Sequence, residues 1–243
     1  MLKFYITGDI HGDLTRLENL ELNKPKNQIG IIILGDSGFN YWSGARMQAL
    51  KEKANEIGYY IYCVRGNHED RPENIEGMEL IYDENVDGNV YMEFEYPKIR
   101  YFVDGGKYKI NGLRVGVIGG AYSVDKSYRQ LMGWQWFEGE QLSYEERLAI
   151  LEDFEEEYFD IILTHTCPFS WQPTDLFLSS IDQEHVDNTM EHFLEVIAER
   201  AVWRTWCWGH FHDDREYHFG DSIYADRRRI MFLNDVTPIE EVV

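Results

Sequence analysis

Three features of the sequence predict an α/β fold. Short apolar runs alternate with stretches of helical periodicity over residues 2–66. Each of these runs leads into a glycine-containing loop. One of them, Ile29 to Leu34, is apolar almost throughout, the pattern of a strand buried on both faces. The 243 residues suffice for one core, and a single domain over residues 1–243 is expected, because no repeat, low-complexity linker or shift of composition divides them.

Leu2 to Thr7 reads as the first strand, ended by Gly8, and Leu14, Leu17 and Leu20 follow as a helical stripe. Ile29 to Leu34 is the second strand, Gly44 to Ile57 a helix, and Tyr59 to Val64 a third strand that closes near Gly66. From Ile81 to Gly120 the chain is richer in Gly, Tyr and Val, and Leu113 to Ile118 is its clearest strand. Ser143 to Tyr158 reads as a helix. Ser143 and Glu146 are spaced for a capping box, and the acidic run Glu152 to Glu157 suits a solvated helix face. Asp160 to Leu163 is a strand ending at Thr164-His165. His185 to Arg200 is helical, and Val202 to Trp208 is a strand ending at Gly209-His210. The tail, Tyr217 to Asn234, reads as edge strands. Tyr122 to Trp136 and Cys167 to Asp182 show no clear period and are expected to be loops walling a site.

Charge narrows the partners. The formal net charge is −21, and the only dense basic run is Arg227-Arg228-Arg229. Binding to long nucleic acid draws on clustered Lys and Arg, so it is not expected. A small anionic substrate is compatible with this surface if the site carries its own positive charge, as two divalent cations would supply. The three cysteines, Cys63, Cys167 and Cys207, form no CxxC pair, which suits a reducing cytoplasm. The N-terminus MLKFYITGDIHG lacks the pattern of a signal peptide, and no window has the apolar length of a membrane span. The expectation is a soluble cytoplasmic protein.

Five potential metal-binding clusters stand at or just beyond the predicted strand ends. They are Asp9-Ile10-His11 after Gly8, Gly35-Asp36, Gly66-Asn67-His68-Glu69, Thr164-His165 and Gly209-His210-Phe211-His212. Ligands of open α/β sheets gather outside the carboxyl ends of strands. In extended chain, residues two apart point the same way, so Asp9 with His11, and His210 with His212, are expected to present paired ligands. Carboxylate and imidazole together suit Mn, Fe, Zn or Ni better than Ca or Mg alone. A carboxylate such as Asp36 can bridge two metals. A metal pair roughly 4 Å apart can hold a nucleophilic water and the phosphoryl oxygens together.

The order DxH, GD, GNH(E/D), H, GHxH resembles the calcineurin-like metallophosphoesterase superfamily, and the motifs span positions 8 to 212. The resemblance implies a β-sandwich of two mixed sheets flanked by helices. It implies that Asp9, His11 and His212 hold one metal, that Asn67, His165 and His210 hold the other, and that Asp36 bridges them. His68 would contact the substrate and protonate the leaving oxygen as general acid. Of the possible metals, Mn is favoured. The reaction implied is direct in-line hydrolysis by a metal-bridging hydroxide, without a phosphoenzyme.

One departure stands out. Many relatives read GDxxD, some with Arg next, whereas Ser37-Gly38-Phe39-Asn40 follows Asp36 here. In the protein Ser/Thr phosphatases that second Asp orients the catalytic His and the Arg clamps phosphate. Phe39 and Asn40 can do neither, so the partner of His68 is open, with Glu69 and Asp70 as candidates. Arg65 to Glu69 matches those phosphatases' RGNHE, but without the clamp the subfamily is not assigned. The run Gly119 to Lys126 and the run His165 to Pro168 resemble a group of small bacterial and phage phosphoesterases.

Outside the motifs, Arg71 and Arg129 are candidate substrate contacts, because a guanidinium fork matches phosphate oxygens; surface ion pairing is the plainer role for each. Trp134, Trp136 and Trp171 could stack on a nucleobase, with core or rim packing the plainer role. Cys167 is expected to be a buried small hydrophobe. A small phosphomonoester or nucleotide is the expected substrate. The alternative is a phosphodiesterase or nuclease acting on cyclic nucleotides or short oligonucleotides, and a non-catalytic scaffold ranks third.

Overall fold

The structure is a computed structural model that describes residues 1–219 and 228–243. In chain order the elements are β1 (Lys3–Thr7), α1 (Thr15–Glu18), β2 (Ile29–Leu34), α2 (Ala45–Ile57), β3 (Tyr60–Val64), β4 (Met78–Asp83), β5 (Gly88–Glu93), β6 (Ile99–Phe102), β7 (Gly106–Ile110) and β8 (Leu113–Ile118). There follow α3 (Lys126–Met132), α4 (Tyr144–Phe154), β9 (Tyr158–Thr164), α5 (Thr189–Arg200), β10 (Val202–Trp208), β11 (Arg215–Phe219), β12 (Arg228–Phe232) and β13 (Thr237–Pro238).

The strands form two mixed sheets. One has seven strands in the order β13-β1-β2-β3-β6-β5-β4, the other six in the order β11-β12-β10-β9-β8-β7. In the first, β1, β2, β3 and β6 run parallel. In the second, β8, β9, β10 and β12 do. The sheets face each other across a shared core that joins Phe4, Ile32 and Val64 of the first to Val117, Ile161 and Cys207 of the second. Outside the first sheet, Leu17 and Ala54 pack on Ile31, Ile33 and Ile61. Outside the second, Phe154, Leu194 and Ile197 pack on Ile162 and Trp206. This is the two-sheet sandwich flanked by helices that the resemblance implies. It explains why β2 is apolar throughout, since both of its faces are covered and all six residues are buried.

The long periodic elements fall close to their expected bounds, and the departures have physical causes. The leucine stripe after β1 is reduced to a single turn of helix that holds the buried Leu17, with Leu14 buried just before it. The helix read as Ser143 to Tyr158 starts as expected. Glu146 N–H donates to Ser143 Oγ, and Ser143 N–H donates to Glu146 Oε2. It stops at Phe154, because Tyr158 is drawn into the ladder opposite Val202. Half of the acidic run therefore leaves the helix. The helix read from His185 begins at Thr189, where Asp187 accepts the Thr189 N–H. Among the described residues of the tail, β11 is the edge strand, while β12 lies inside the sheet beside β10. Arg227, the first residue of the basic run, lies outside the described residues.

One element was not expected. Within the aperiodic stretch from Tyr122 to Trp136 lies the helix α3, whose only buried residue is Arg129. A helix that buries a guanidinium shows no apolar stripe, so hydrophobic period cannot reveal it.

Candidate metal centre and its cleft

The parallel strands of both sheets end in the same place. Asp9, Asp36 and Asn67 follow β1, β2 and β3, while His165 and His210 follow β9 and β10. The loops are shaped for close approach. Gly35 has φ +95°, and a Cβ there would overlap the His165 ring; a Cβ on Gly66 would overlap the Asp36 carboxylate. His11, Asp36, His210 and His212 themselves take the left-handed region, with φ of 46°, 45°, 66° and 52°. This corrects the expectation that Asp9 with His11 and His210 with His212 converge through extended alternation. The pairs converge because the chain turns sharply, and conformations that disfavour ordinary side chains cluster at functional sites.

All seven expected ligand positions come together. His212 Nε2 lies 3.4 Å from Asp9 Oδ2, and His11 Nε2 lies 3.1 Å from His212 Nε2. His11 Nδ1 and His165 Nε2 lie 3.9 and 3.7 Å from Asp36 Oδ2. His165 Nε2 is 2.8 Å from Asn67 Oδ1 and 3.2 Å from His210 Nδ1. Three groups of atoms are close enough to hold an ion: Asp9, His11 and His212; Asp9, Asp36 and His165; and His11, Asp36 and His68.

The donor set fits cations. His165 Nδ1 lies 2.8 Å from the Leu34 carbonyl, which can only accept, so the imidazole proton sits there. In the neutral ring, the form that binds a metal, its Nε2 is a lone pair. Asn67 Nδ2 donates to Ser123 Oγ at 2.8 Å, which turns Oδ1 toward that same lone pair. Two acceptors thus face each other at close range in a buried site, an arrangement that a cation relieves. Asp9 Oδ2 is enclosed and makes no well-formed hydrogen bond among the described residues, with His212 Nε2 3.4 Å away, whereas Asp9 Oδ1 accepts from His210 N–H. Asp36 Oδ1 likewise accepts from His68 N–H, leaving Oδ2 to the cluster. Outer contacts of this kind orient metal ligands.

Burial pushes the His210 imidazole down to about 3, with His165 adding to the effect, so His210 is neutral and able to ligate. Burial alone would raise the Asp9 carboxyl, but the imidazoles of His165 and His212 outweigh it and hold Asp9 below the ordinary range. Contact with Asp9 raises His212.

His68 stands beside this cluster, with Nδ1 3.8 Å from Asp36 Oδ2. Neither Glu69 nor Asp70 partners it, contrary to expectation. Glu69 is buried and braces the loops, accepting from Ser37 Oγ at 2.6 Å and from Gly66 N–H at 3.0 Å. Asp70 accepts from Arg71 N–H and Asn74 Nδ2. The partner is Arg129 on α3, whose Nη2 lies 3.0 Å from His68 Nδ1. Asp125 holds the Arg129 Nε with both carboxylate oxygens, at 2.7 and 2.8 Å. Arginine only donates, so His68 Nδ1 accepts and Nε2 carries the proton. Burial lowers the His68 pKa, and Arg129 adds to that. The sequence carries a trace of this device in Asp125 and Arg129, four residues apart, but nothing that ties them to His68.

Arg71 is not brought to the centre. Its guanidinium donates to the carbonyls of Gly139 and Gln141 and to both carboxylate oxygens of Glu146. None of the three tryptophans lines the cleft. Trp171 packs among Trp203, Trp206 and Trp208, Trp136 lies under Lys126, and Trp134 lines a separate depression with Tyr41 and Trp42. Cys167 is fully buried, and burial raises its thiol far above the reactive range, as expected for a packing residue. The centre opens into a cleft of about 470 Å³. Its far wall comes from the stretch Gln172 to Asn188 together with Phe211.

Residues 2–214 match the model of the calcineurin-like phosphoesterase family. The chain belongs to that family, whose chemistry is metal-dependent hydrolysis of phosphoesters. No curated protein matches the sequence. Among solved structures, the crystal structure of TT1561 of Thermus thermophilus aligns over 97% of this chain and 90% of its own, with 14% identity and a TM-score of 0.45. No helix among the described residues is long and apolar enough to cross a membrane.

Proposed function

We propose that the chain hydrolyses a small phosphoester, a monoester or nucleotide, at a two-metal centre held by Asp9, His11, Asp36, Asn67, His165, His210 and His212. The observation that carries this reading is the pair of acceptors, His165 Nε2 and Asn67 Oδ1, facing each other at 2.8 Å beside the unsatisfied Asp9 Oδ2. Two divalent cations bound there, with Mn favoured, would neutralise the phosphoryl oxygens and lower the pKa of an attacking water.

The side chains supply the rest. Asp36 presents Oδ2 to both halves of the cluster, which suits a bridge. His68 is supported as a non-ligand, because the Arg129 N–H occupies the lone pair that faces Asp36. Its Nε2–H is free to hydrogen-bond the leaving oxygen, with Asp125 Oδ1 too far to capture it at 3.9 Å; a neutral ring polarises that oxygen, whereas passing it the whole proton would leave an imidazolate. Arg129 acts in this reading as a positioning residue rather than the substrate contact expected from sequence. Attack is direct, with no phosphoryl-enzyme. The single domain over residues 1–243 belongs to the same proposal, supported by one core that draws on both sheets. So does a cytoplasmic setting, supported by three buried cysteines without a disulfide.

The test is hydrolysis of p-nitrophenyl phosphate and bis(p-nitrophenyl) phosphate by the Mn²⁺-loaded protein, with Asp36→Asn as control. Monoester turnover that vanishes in the variant supports a phosphatase. Diester turnover alone moves the assignment to a phosphodiesterase of cyclic nucleotides or short oligonucleotides. Full metal content with neither ester cleaved favours a scaffold.

A further inference from the structure

We infer that the cleft beside the metal centre seats an uncharged, ring-bearing organic group, so that the substrate is a phosphoester of an aryl or similarly apolar alcohol. This rests on the phosphoester reading above and names its substrate class.

The wall that runs out from the centre is apolar, made by Leu176, Phe177, Leu178, Ile181, Val186 and Phe211. Phe211 sits between His210 and His212 in sequence, and its ring meets the His210 ring edge-on at 4.9 Å. Phe177 stacks on Phe211 with ring centroids 6.4 Å apart and planes at 24°. Aromatic surface therefore begins one side chain from the candidate ligands. A group esterified to a phosphoryl held at the centre shares the cleft with these rings.

The wall is anchored. At one end Trp171 packs against Trp203, Trp206 and Trp208. In the middle, Arg215 forks onto both carboxylate oxygens of Asp175 at 2.9 and 2.7 Å. At the other end Gln172 Nε2 donates to Asn188 Oδ1 at 3.0 Å. The cleft is thus built with its apolar face in place, as small-molecule sites usually are.

The polar groups point the same way. Gln172, Gln183 and Asn188 offer uncharged amides, while the charged side chains away from the cluster are the carboxylates Asp125 and Glu191. Among the described residues that line the cleft, none is Lys or Arg. A second phosphate or carboxylate on the substrate would meet no cationic side chain among the described residues lining the cleft, and an unpaired charge taken from water is costly. An apolar ring gains instead, by removing its surface and that of Phe177 from water.

The test compares esters of matched reactivity. Phenol and 2-naphthol have similar acidity, so phenyl and 2-naphthyl phosphate differ mainly in the ring to be seated. With the Mn²⁺-loaded protein, kcat/KM for the naphthyl ester should exceed that for the phenyl ester by about 10-fold or more, the scale of added apolar contact in a pocket. That ratio should fall toward one in Phe177→Ala and in Ile181→Ser. Calorimetric binding of 2-naphthylmethylphosphonate and methylphosphonate gives a readout independent of turnover, with the same preference and the same loss in the variants. Hydrolysis of both esters at a ratio near one, or a ratio untouched by either variant, overturns the inference and leaves phosphoester hydrolysis standing. No hydrolysis, with the phosphonate preference present and lost in the variants, keeps the aromatic cleft and overturns the hydrolytic reading. No hydrolysis and no preference overturns both.

Discussion

Arg129 holds His68 by its Nδ1: the guanidinium Nη2 lies 3.0 Å from that nitrogen, and Asp125 grips the other side of the guanidinium with both carboxylate oxygens. The chain carries Phe39-Asn40 shortly after Asp36, neither of which can hold the histidine as an acid would, and the contact to His68 comes from α3. An arginine and an aspartate set opposite tautomeric demands. An aspartate on Nδ1 accepts a proton and supports an imidazolium, whereas an arginine donates and supports a neutral ring with its proton on Nε2.

A double-mutant cycle tests this pairing. His68→Ala should lower turnover by about 10²–10⁴-fold while both metals stay bound. Arg129→Met should lower kcat by roughly 10-fold or more, with KM moved far less, because it acts through His68 rather than on the substrate. Arg129→Lys should rescue little, since an ammonium cannot span Asp125 and His68 as the fork does. Adding Arg129→Met to His68→Ala should cost almost nothing further. Independent, multiplicative losses would show that Arg129 touches the substrate after all.

Chelation should destabilise the protein through the same cluster. A cation at 100-fold its dissociation constant adds about 2.7 kcal/mol to a state that alone binds it. For a chain of this size that is roughly 5–10 °C in melting temperature. Mn²⁺ should raise the midpoint of the EDTA-treated protein by this amount. In Asp36→Asn the rise should be largely lost, as a carboxylate facing both halves of the cluster is replaced by an amide. An unchanged midpoint on adding metal to the wild type would remove the basis for the ligand assignment.

The centre was legible in the sequence to an unequal degree. Its ligand positions follow β1, β2, β3, β9 and β10, each announced by an apolar run, and all of these except β9 stop at or near a glycine. What surrounds the ligands was not legible. Arg129 is buried on a helix without an apolar stripe, so it read as a surface ion pair. Leu176, Phe177 and Ile181 lie in a stretch without period, held in place by Trp171 and by Arg215 on a distant strand. The abundant tryptophans drew attention as stacking platforms, yet Trp171 serves the packing behind the wall while two phenylalanines form its face. Local pattern carries strand ends well, but long-range pairing of charged groups leaves no local pattern.

The interior ion pair between Lys51 and Glu93 should respond asymmetrically to mutation. Lys51 Nζ is wholly buried beneath α2 and hydrogen-bonds Glu93 Oε2 on β5, with the rings of Tyr96 and Tyr101 nearby. Burial lowers the Lys51 pKa against the support of Glu93. Glu93→Gln strands the ammonium and should cost about 3–5 kcal/mol in urea denaturation. Lys51→Met should cost less, because Glu93 keeps 11% of its side-chain surface and can draw on water. Equal losses from the two changes would mean that the ammonium is not the member that needs its partner.

Glu191 gives the metal-free protein a pH dependence of its own. Its carboxyl is buried, receives a hydrogen bond from Thr166 Oγ1 at 2.8 Å through one oxygen, and has no partner among the described residues for the other. Burial pushes its pKa from 4.5 up to about 7. Between those values the folded protein keeps a proton that the unfolded chain has released, so stability falls as pH rises from about 4.5 to about 7 and levels off above. Glu191→Gln holds the neutral shape at every pH. It should therefore match the wild type near pH 4.5 and exceed it by about 1–3 kcal/mol at pH 8, measured by urea denaturation in EDTA. A variant that gains nothing at pH 8 would show that the folded carboxyl ionises there at no cost, through water or movement of α5.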